Sequence, residues 1–320
     1  MRVALITSWP PEVCGIASDS LLLVNHIVGV DYTIIDRPFT QERVMGLSAD
    51  CDVVHLRYER NLQVAVDPQW FHALRAQGKK TVVTWGNAWP GDHQDDAMIS
   101  VFDAVVVQDP QMHQPEKNWF YVPQGIMRVP VQTEIKPQIG TAGFPNYWKG
   151  SLVMAEVAEA LGLKFLDFAP ISRHADALGM RKEIEKRCHN CEFIHEFLPM
   201  EQIIWRLSEC AFTCWLYIAH PQQSGVSGSV RLGLAAQRPV LLSRAGMYRD
   251  IFPYEDEIYF IDSDSVGTRQ ALDVARPLWE AIQAGTAKRP KRVIEEMNWA
   301  KAAQMYTDVY HRVCGLPIPQ

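Results

Sequence analysis

The stretch "SGVSGSVRLGLAAQRPVLLS", from Ser224 to Ser243, sets small residues directly before a helical pattern. A helix opening near Ser227–Ser229 would leave backbone N–H groups without intrahelical partners. That makes a ready anion site, worth roughly 0.3–1 kcal/mol when exposed and up to about 2 when partly buried. Ser is a good N-cap, and Gly225 and Gly228 permit close backbone approach. The same residues also suit a plain strand-to-helix turn, and composition alone weighs the two evenly. A companion lies in "GFPNYWKG", where Lys149 follows a strand and precedes a helix. A cation there could neutralise a departing phosphate, or be a solvated surface lysine. In "WPPEVCGIAS", Gly15 ends the first strand's loop, where it either admits a ligand to the backbone or permits a turn.

Other groups have both a chemical and a structural reading. "CHNC" (188–191) with Cys210 and Cys214 is spaced somewhat like a zinc ribbon, with His189 and His195 nearby. Cys210 and Cys214, however, sit in an apolar strand, where a free thiol is an ordinary small hydrophobe; no metal is expected. Trp85, Trp89, Trp119 and Trp148 would stack on a sugar or base, or form core. His55 and Glu59 end the third strand and either touch an acceptor or serve the fold. Lys288, Arg289, Lys291 and Arg292 form a basic run that is either solvated or a phosphate contact.

These residues need elements to position them. Short β-branched runs alternate with helical stretches: "RVALITS", "DYTIID", "CDVVHLRY", "KTVVTWG", "DAVVVQD" and "NWFYVPQGI". A proline-containing polar stretch, "MRVPVQTEIKPQ" (127–138), interrupts the rhythm. It resumes with "QIGTAGF", "LKFLDFA", "CEFIHEF", "AFTCWLYI", "RPVLLS" and "EIYFID". Such alternation predicts parallel sheets of βαβ units, here two Rossmann-like domains facing each other, with ligands at the carboxyl ends of the strands. In "MNWAKAAQMYTDVYHRV", Trp299, Ala302, Ala303, Tyr306, Val309, Tyr310 and Val313 form one apolar stripe that must pack on a domain.

The bulk numbers agree with a globular α/β protein. Of 320 residues, 48% are hydrophobic and 21% charged, which argues against extensive disorder. A formal charge of −6 argues against stable binding of duplex nucleic acid. No segment reaches the roughly 20 apolar residues of a membrane helix, so no transmembrane segment is expected. The N-terminus reads as a strand entering a loop, not a signal peptide. Seven scattered cysteines read as reduced thiols in a cytoplasmic protein.

The ordered set "GFPNYWKG", "EFLPMEQIIWRLSECAFTCWLY", "SGVSGSVRLGLAAQRPVLLS" and the terminal helix resembles the second domain of the GT-B glycosyltransferases of the glycogen-synthase-like retaining group, family 4 (glycosyl transferases group 1). "LITSWPPEVCGIAS", "DVVHLRYE" and "KTVVTWGNAWPG" are similar to its first domain. The resemblance implies an N-terminal acceptor domain over 1–132, a donor domain over 133–294, and a helix over 295–320 packing back on the first domain. It implies hexosyl or pentosyl transfer, with retention, from a nucleotide-diphosphate sugar, UDP- or GDP-linked foremost. The active site would lie in the cleft, with no metal or other cofactor. The acceptor stays open among a glycan, a small molecule and a modified nucleobase.

By position, the resemblance places Lys149 on the donor diphosphate and Glu196, Phe197 and Leu198 by the base. Ser224, Gly225, Ser227, Gly228 and Ser229 would cradle phosphate and sugar, with Gly15 beneath the diphosphate. The family's two glutamates fall here on Ser224 and Leu232, and its arginine before the lysine is missing, with Arg231 as a replacement charge. Its fourth-strand histidine is replaced by "TWGNAWPGDH", leaving that role to Asn87, Asp92 or His93. These departures keep two alternatives open: a non-catalytic nucleotide- or sugar-binding scaffold, and a nucleotide-sugar epimerase or hydrolase.

Overall fold

The computed structural model describes residues 1–59, 66–88, 92–171, 176–218, 224–262 and 266–318; the side chains of residues 87, 88, 93, 224 and 225 are outside that description. The chain divides into two compact units. One comprises Met1–Gly125, Gln222–Val226 and Trp299–Gln320; the other Ile126–Pro221 and Ser227–Asn298.

In the first unit the β-branched runs form β1 (Arg2–Ile6), β2 (Asp31–Ile35), β3 (Val53–Tyr58), β4 (Lys80–Trp85), β5 (Asn87–Ala88), β6 (Ala104–Val107) and β7 (Trp119–Tyr121). Between them lie α1 (Gly15–His26), α2 (Gln41–Leu47), α3 (Pro68–Ala76) and α4 (His93–Ile99). Six strands make a sheet in the order β2-β1-β3-β4-β6-β7, all pairs parallel. Strands β3, β4 and β6 are buried along almost their whole length, which is why they read as unbroken apolar runs.

The second unit begins its sheet with β8 (Lys136–Ala142), followed by α5 (Ser151–Leu161), β9 (Lys164–Phe168), α6 (Ala177–Glu185), β10 (Cys191–Ile194), α7 (Met200–Leu207) and β11 (Cys210–Trp215). The two-residue β12 (Ser224–Gly225) belongs to the first unit, where it pairs antiparallel with β5. The second unit resumes with α8 (Gly228–Ala235), β13 (Val240–Ser243), β14 (Tyr259–Ile261), α9 (Thr268–Gln283) and α10 (Arg292–Glu296). Its sheet runs β10-β9-β8-β11-β13-β14, again all parallel. Apolar clusters cover both faces, one around Leu166, Trp215 and Leu234, the other around Phe165, Phe212 and Ala155. Strand order reverses between β8 and β11, and ligands of open α/β sheets bind at such a switch point.

The last helix, α11 (Trp299–Val313), lies in the first unit. Its buried residues include Trp299, Ala302, Ala303, Tyr306, Val309 and Tyr310, the stripe expected from their spacing. Gly125 allows this packing, since a Cβ there would sit 2.3 Å from the Trp299 ring. Polar side chains add specificity beneath the helix. His55 Nδ1 lies 2.7 Å from the Tyr310 hydroxyl, and Nε2 lies 2.8 Å from Thr84 Oγ1. Among the described residues, no helix is long and apolar enough to cross a membrane.

Candidate functional site

The N-terminus of α8 is open to a ligand. Its N-cap, Ser227, has extended backbone and makes no side-chain cap bond. The Ser227 hydroxyl lies instead 2.9 Å from Tyr217 Oη and 3.0 Å from Ser229 Oγ. Ser229 Oγ is also 3.0 Å from Tyr217 Oη, closing a triangle of three hydroxyls. First-turn N–H groups of a helix have no intrahelical acceptor, and here the N-cap side chain does not take them up. Gly228 is exposed and Ser229 half-buried.

Lys149 reaches the same place from the end of β8. A Cβ on Gly143 would lie 3.2 Å from Ser229 Oγ and 3.4 Å from Lys149 Nζ, so ammonium and hydroxyl border one glycine. Gly143 has φ +129°, a conformation left to glycine. Lys149 ends a short 3-10 turn, Tyr147–Lys149, that Asn146 caps by accepting from Trp148 N at 3.3 Å. Gly150 follows at φ +74°, where a Cβ would meet the Leu216 carbonyl oxygen at 2.2 Å. Lys149 Nζ lies 5.4 Å from the Trp148 ring centroid and 5.8 Å from that of Tyr217. Among the described residues no carboxylate is within ion-pairing distance of it. A cation, a helix N-terminus and hydroxyls thus meet beside the switch strands β8 and β11, an arrangement that favours phosphate oxygens.

The other expected residues each have their own surroundings. Arg231, in the first turns of α8, is buried and forms an ion pair with buried Asp250. Glu196 and Phe197 are exposed on the loop after β10, where the Phe197 ring stacks on Phe144 at 6.2 Å and 12°. Leu198 packs against the second unit's core. In the first unit, Gly225 pairs with Asn87 and Ser224 with Ala88 across β12 and β5. Asp92 is the N-cap of α4, accepting from Gln94 N at 3.0 Å and Asp95 N at 3.4 Å. His93 opens that helix, and its side chain lies outside the described residues. Gly15 is the exposed first residue of α1, with open space where a Cβ would be.

Several other groups are engaged within the fold. His55 is wholly buried, and burial holds its imidazole down at about 3, hence neutral. All seven cysteines are thiols; burial pushes Cys210 up to about 12 and Cys188 to about 11. His189 pairs with Glu159, and among the described residues no three His, Cys, Asp or Glu side chains come together as metal ligands. In the basic run, Arg292 pairs with Asp256 at 2.7 Å, and the Lys291 backbone donates to Glu257. Trp85 is core, packed edge-on to Trp119; Trp89 lies outside the described residues.

Sequence reasoning missed Tyr217, Gly143 and Asp167. Asp167 is a buried carboxyl near the end of β9 that burial pushes up to about 7, with Lys149 drawing it back down. The signal was an acid inside the apolar run "KFLDF".

No protein-family model matches the chain, and neither does any curated protein. Solved structures match over nearly its whole length. A glycosyltransferase from Rickettsia africae ESF-5 is 13% identical, with a TM-score of 0.71 and 98% of each chain covered. Sucrose-phosphate synthase from Thermosynechococcus elongatus is 12% identical, with a TM-score of 0.71 and 98% of this chain and 99% of that one covered. HepE from Anabaena, solved in complex with UDP-glucose, is 11% identical at a TM-score of 0.70, with 99% of this chain and 100% of its own covered. The chain therefore has the two-domain α/β GT-B fold that glycosyltransferases share.

Proposed function

We propose that the protein is a glycosyltransferase that moves a hexosyl or pentosyl group from a UDP- or GDP-sugar to an acceptor. The observation that carries this reading is the meeting of Lys149 Nζ, Ser229 Oγ and the uncapped α8 N-terminus around Gly143. When the bond between the anomeric carbon and the diphosphate oxygen breaks, negative charge gathers on the leaving group. Lys149 and the α8 N–H groups are fixed where they would receive that charge without reorganising, the most effective form of electrostatic stabilisation. They would serve in place of a metal ion, so transfer should survive chelation. An acceptor hydroxyl or amine attacks the anomeric carbon, and its proton passes to the departing diphosphate oxygen. The resemblance of its motifs to retaining enzymes supports transfer with retention. In this reading Gly15 would lie beneath the diphosphate, Ser224 and Gly225 would cradle phosphate and sugar, Asn87, Asp92 or His93 would reach the sugar, and Glu196, Phe197 and Leu198 would serve the base. Arg231, paired with Asp250, holds the cradle's helix in place.

One observation favours a second reading, a non-catalytic nucleotide- or sugar-binding scaffold. Leu232 stands where the family has its second glutamate, and it packs against the core. A transfer assay separates the two. Each nucleotide sugar is incubated with glycan, small-molecule and modified-nucleobase acceptors, and nucleotide diphosphate release is followed with and without EDTA. Acceptor-dependent release, unaffected by EDTA and lost in Lys149→Ala, is the expected result. Binding without release under any acceptor would establish the scaffold, and release without acceptor a hydrolase. A proton NMR spectrum of the product settles the anomeric outcome.

A further inference from the structure

Asp167 has no role in the donor contacts above, yet the sheet register aims it at them. It pairs with Thr141 on β8, two residues before Gly143, whose missing Cβ borders Lys149 Nζ. Register partners in a parallel sheet share a face, so the carboxyl lies on the neighbouring strand beneath the lysine's cradle. It is 3% exposed, and its Oδ2 has no hydrogen-bond partner among the described residues. A buried carboxylate with no donor is costly unless a charge faces it or a proton sits on it.

We propose that Asp167 is a positioning residue for Lys149: when protonated it leaves the ammonium to the donor's diphosphate, and when ionised it draws the ammonium toward the sheet and weakens anion binding. This rests on the reading of Lys149 as a diphosphate contact. Burial sets the carboxyl near neutrality, at about 7, and Lys149 is the charged group whose field acts on it. Most of the other charged and titratable groups are already engaged, while His195 Nε2 is buried with no hydrogen-bond partner among the described residues. Thr141 and Phe193 are its ladder neighbours on β8 and β10. His195, after β10, has Nδ1 2.8 Å from Ala169 O. Arg181 on α6 pairs with Glu185, and Arg231 on α8 with Asp250. On α5, Glu156 pairs with Arg187 and Glu159 with His189, while the helix's first turn has no acid. Anion affinity should therefore fall as pH rises through neutrality, with a limit of tenfold per unit for one proton.

The test begins with the free protein. In a carbon-13 NMR titration the Lys149 Cε signal should inflect near pH 7 together with Asp167 Cγ, and lose that inflection in Asp167→Asn. Calorimetric titration with UDP-glucose, whose diphosphate keeps one charge state here, should show the Kd rising about tenfold from about pH 6 to about pH 8. Asp167→Asn should bind with a flat profile. A Lys149 signal that does not inflect, or an equal pH slope in both proteins, would overturn the proposal. An inflection with no binding of UDP-glucose or pyrophosphate at any pH would support the Asp167–Lys149 pairing and sink the donor reading instead.

Discussion

Filling the space at Gly143 should disable anion binding out of proportion to its effect on folding. Gly143→Ala forces a side chain onto φ +129°, a strain of about 1–3 kcal/mol. The new methyl would lie 3.1 Å from Ser229 Cβ, 3.2 Å from Ser229 Oγ and 3.4 Å from Lys149 Nζ, so these neighbours give way by only a few tenths of an ångström. A phosphate oxygen bridging lysine and serine needs that space. Losing one charge-assisted hydrogen bond costs about 1.5–3 kcal/mol, or roughly 10- to 100-fold in affinity. Gly140→Ala is the matched control on the same strand. Its Cβ would meet Cys210 Sγ at 2.6 Å and Leu207 Cδ2 at 2.7 Å, an overpacked core costing about 1–3 kcal/mol. Urea unfolding and UDP-glucose calorimetry on both variants make the comparison. Both should lose comparable stability, and only Gly143→Ala should lose affinity. Wild-type affinity in Gly143→Ala would refute the cradle.

Two further outcomes follow from buried groups. His55 stays neutral in the folded chain down to about 3, while the unfolded chain takes up a proton below its ordinary value near 6.5. Stability should therefore fall with acidification across that window, by at most about 1.4 kcal/mol per pH unit from this residue. His55→Gln should flatten the urea midpoint's pH dependence by that amount, and an unchanged slope would contradict the burial argument. Arg231→Met or Asp250→Leu alone breaks a buried ion pair and should cost about 3–5 kcal/mol. The double variant should recover most of that loss in chemical denaturation; additive losses would deny the pairing.

Much of the fold was legible because it is written in periodicity. Buried parallel strands such as "DVVHL" and "DAVVV" are continuous apolar runs, and α11 shows its stripe directly. Lys149 could be singled out only beside its companion segments, since alone a cation between a strand and a helix reads as a solvated surface lysine. Tyr217 could not, since in "CAFTCWLY" it looks like one more strand residue; its hydroxyl matters only because Ser227 and Ser229 return to it from a later helix. The pairing of β5 with β12 was equally hidden, being two backbone rungs between distant segments with no side-chain signal. Arg231 read as a replacement for the family's missing arginine because its partner, Asp250, comes from a separate turn after β13.

In the proposed function, Lys149 and the α8 N-terminus hold a nucleoside diphosphate. Thermal unfolding of wild type and Lys149→Ala against UDP, GDP, ADP, dTDP and their sugar conjugates tests it most directly. A ligand at about 100 times its Kd adds roughly 2.7 kcal/mol, a rise of several degrees for a chain of this size. A selective rise with one diphosphate is expected in the wild type, with little or none in the folded Lys149→Ala protein. No rise with any of them at millimolar concentration, or an equal rise in both proteins, would contradict it.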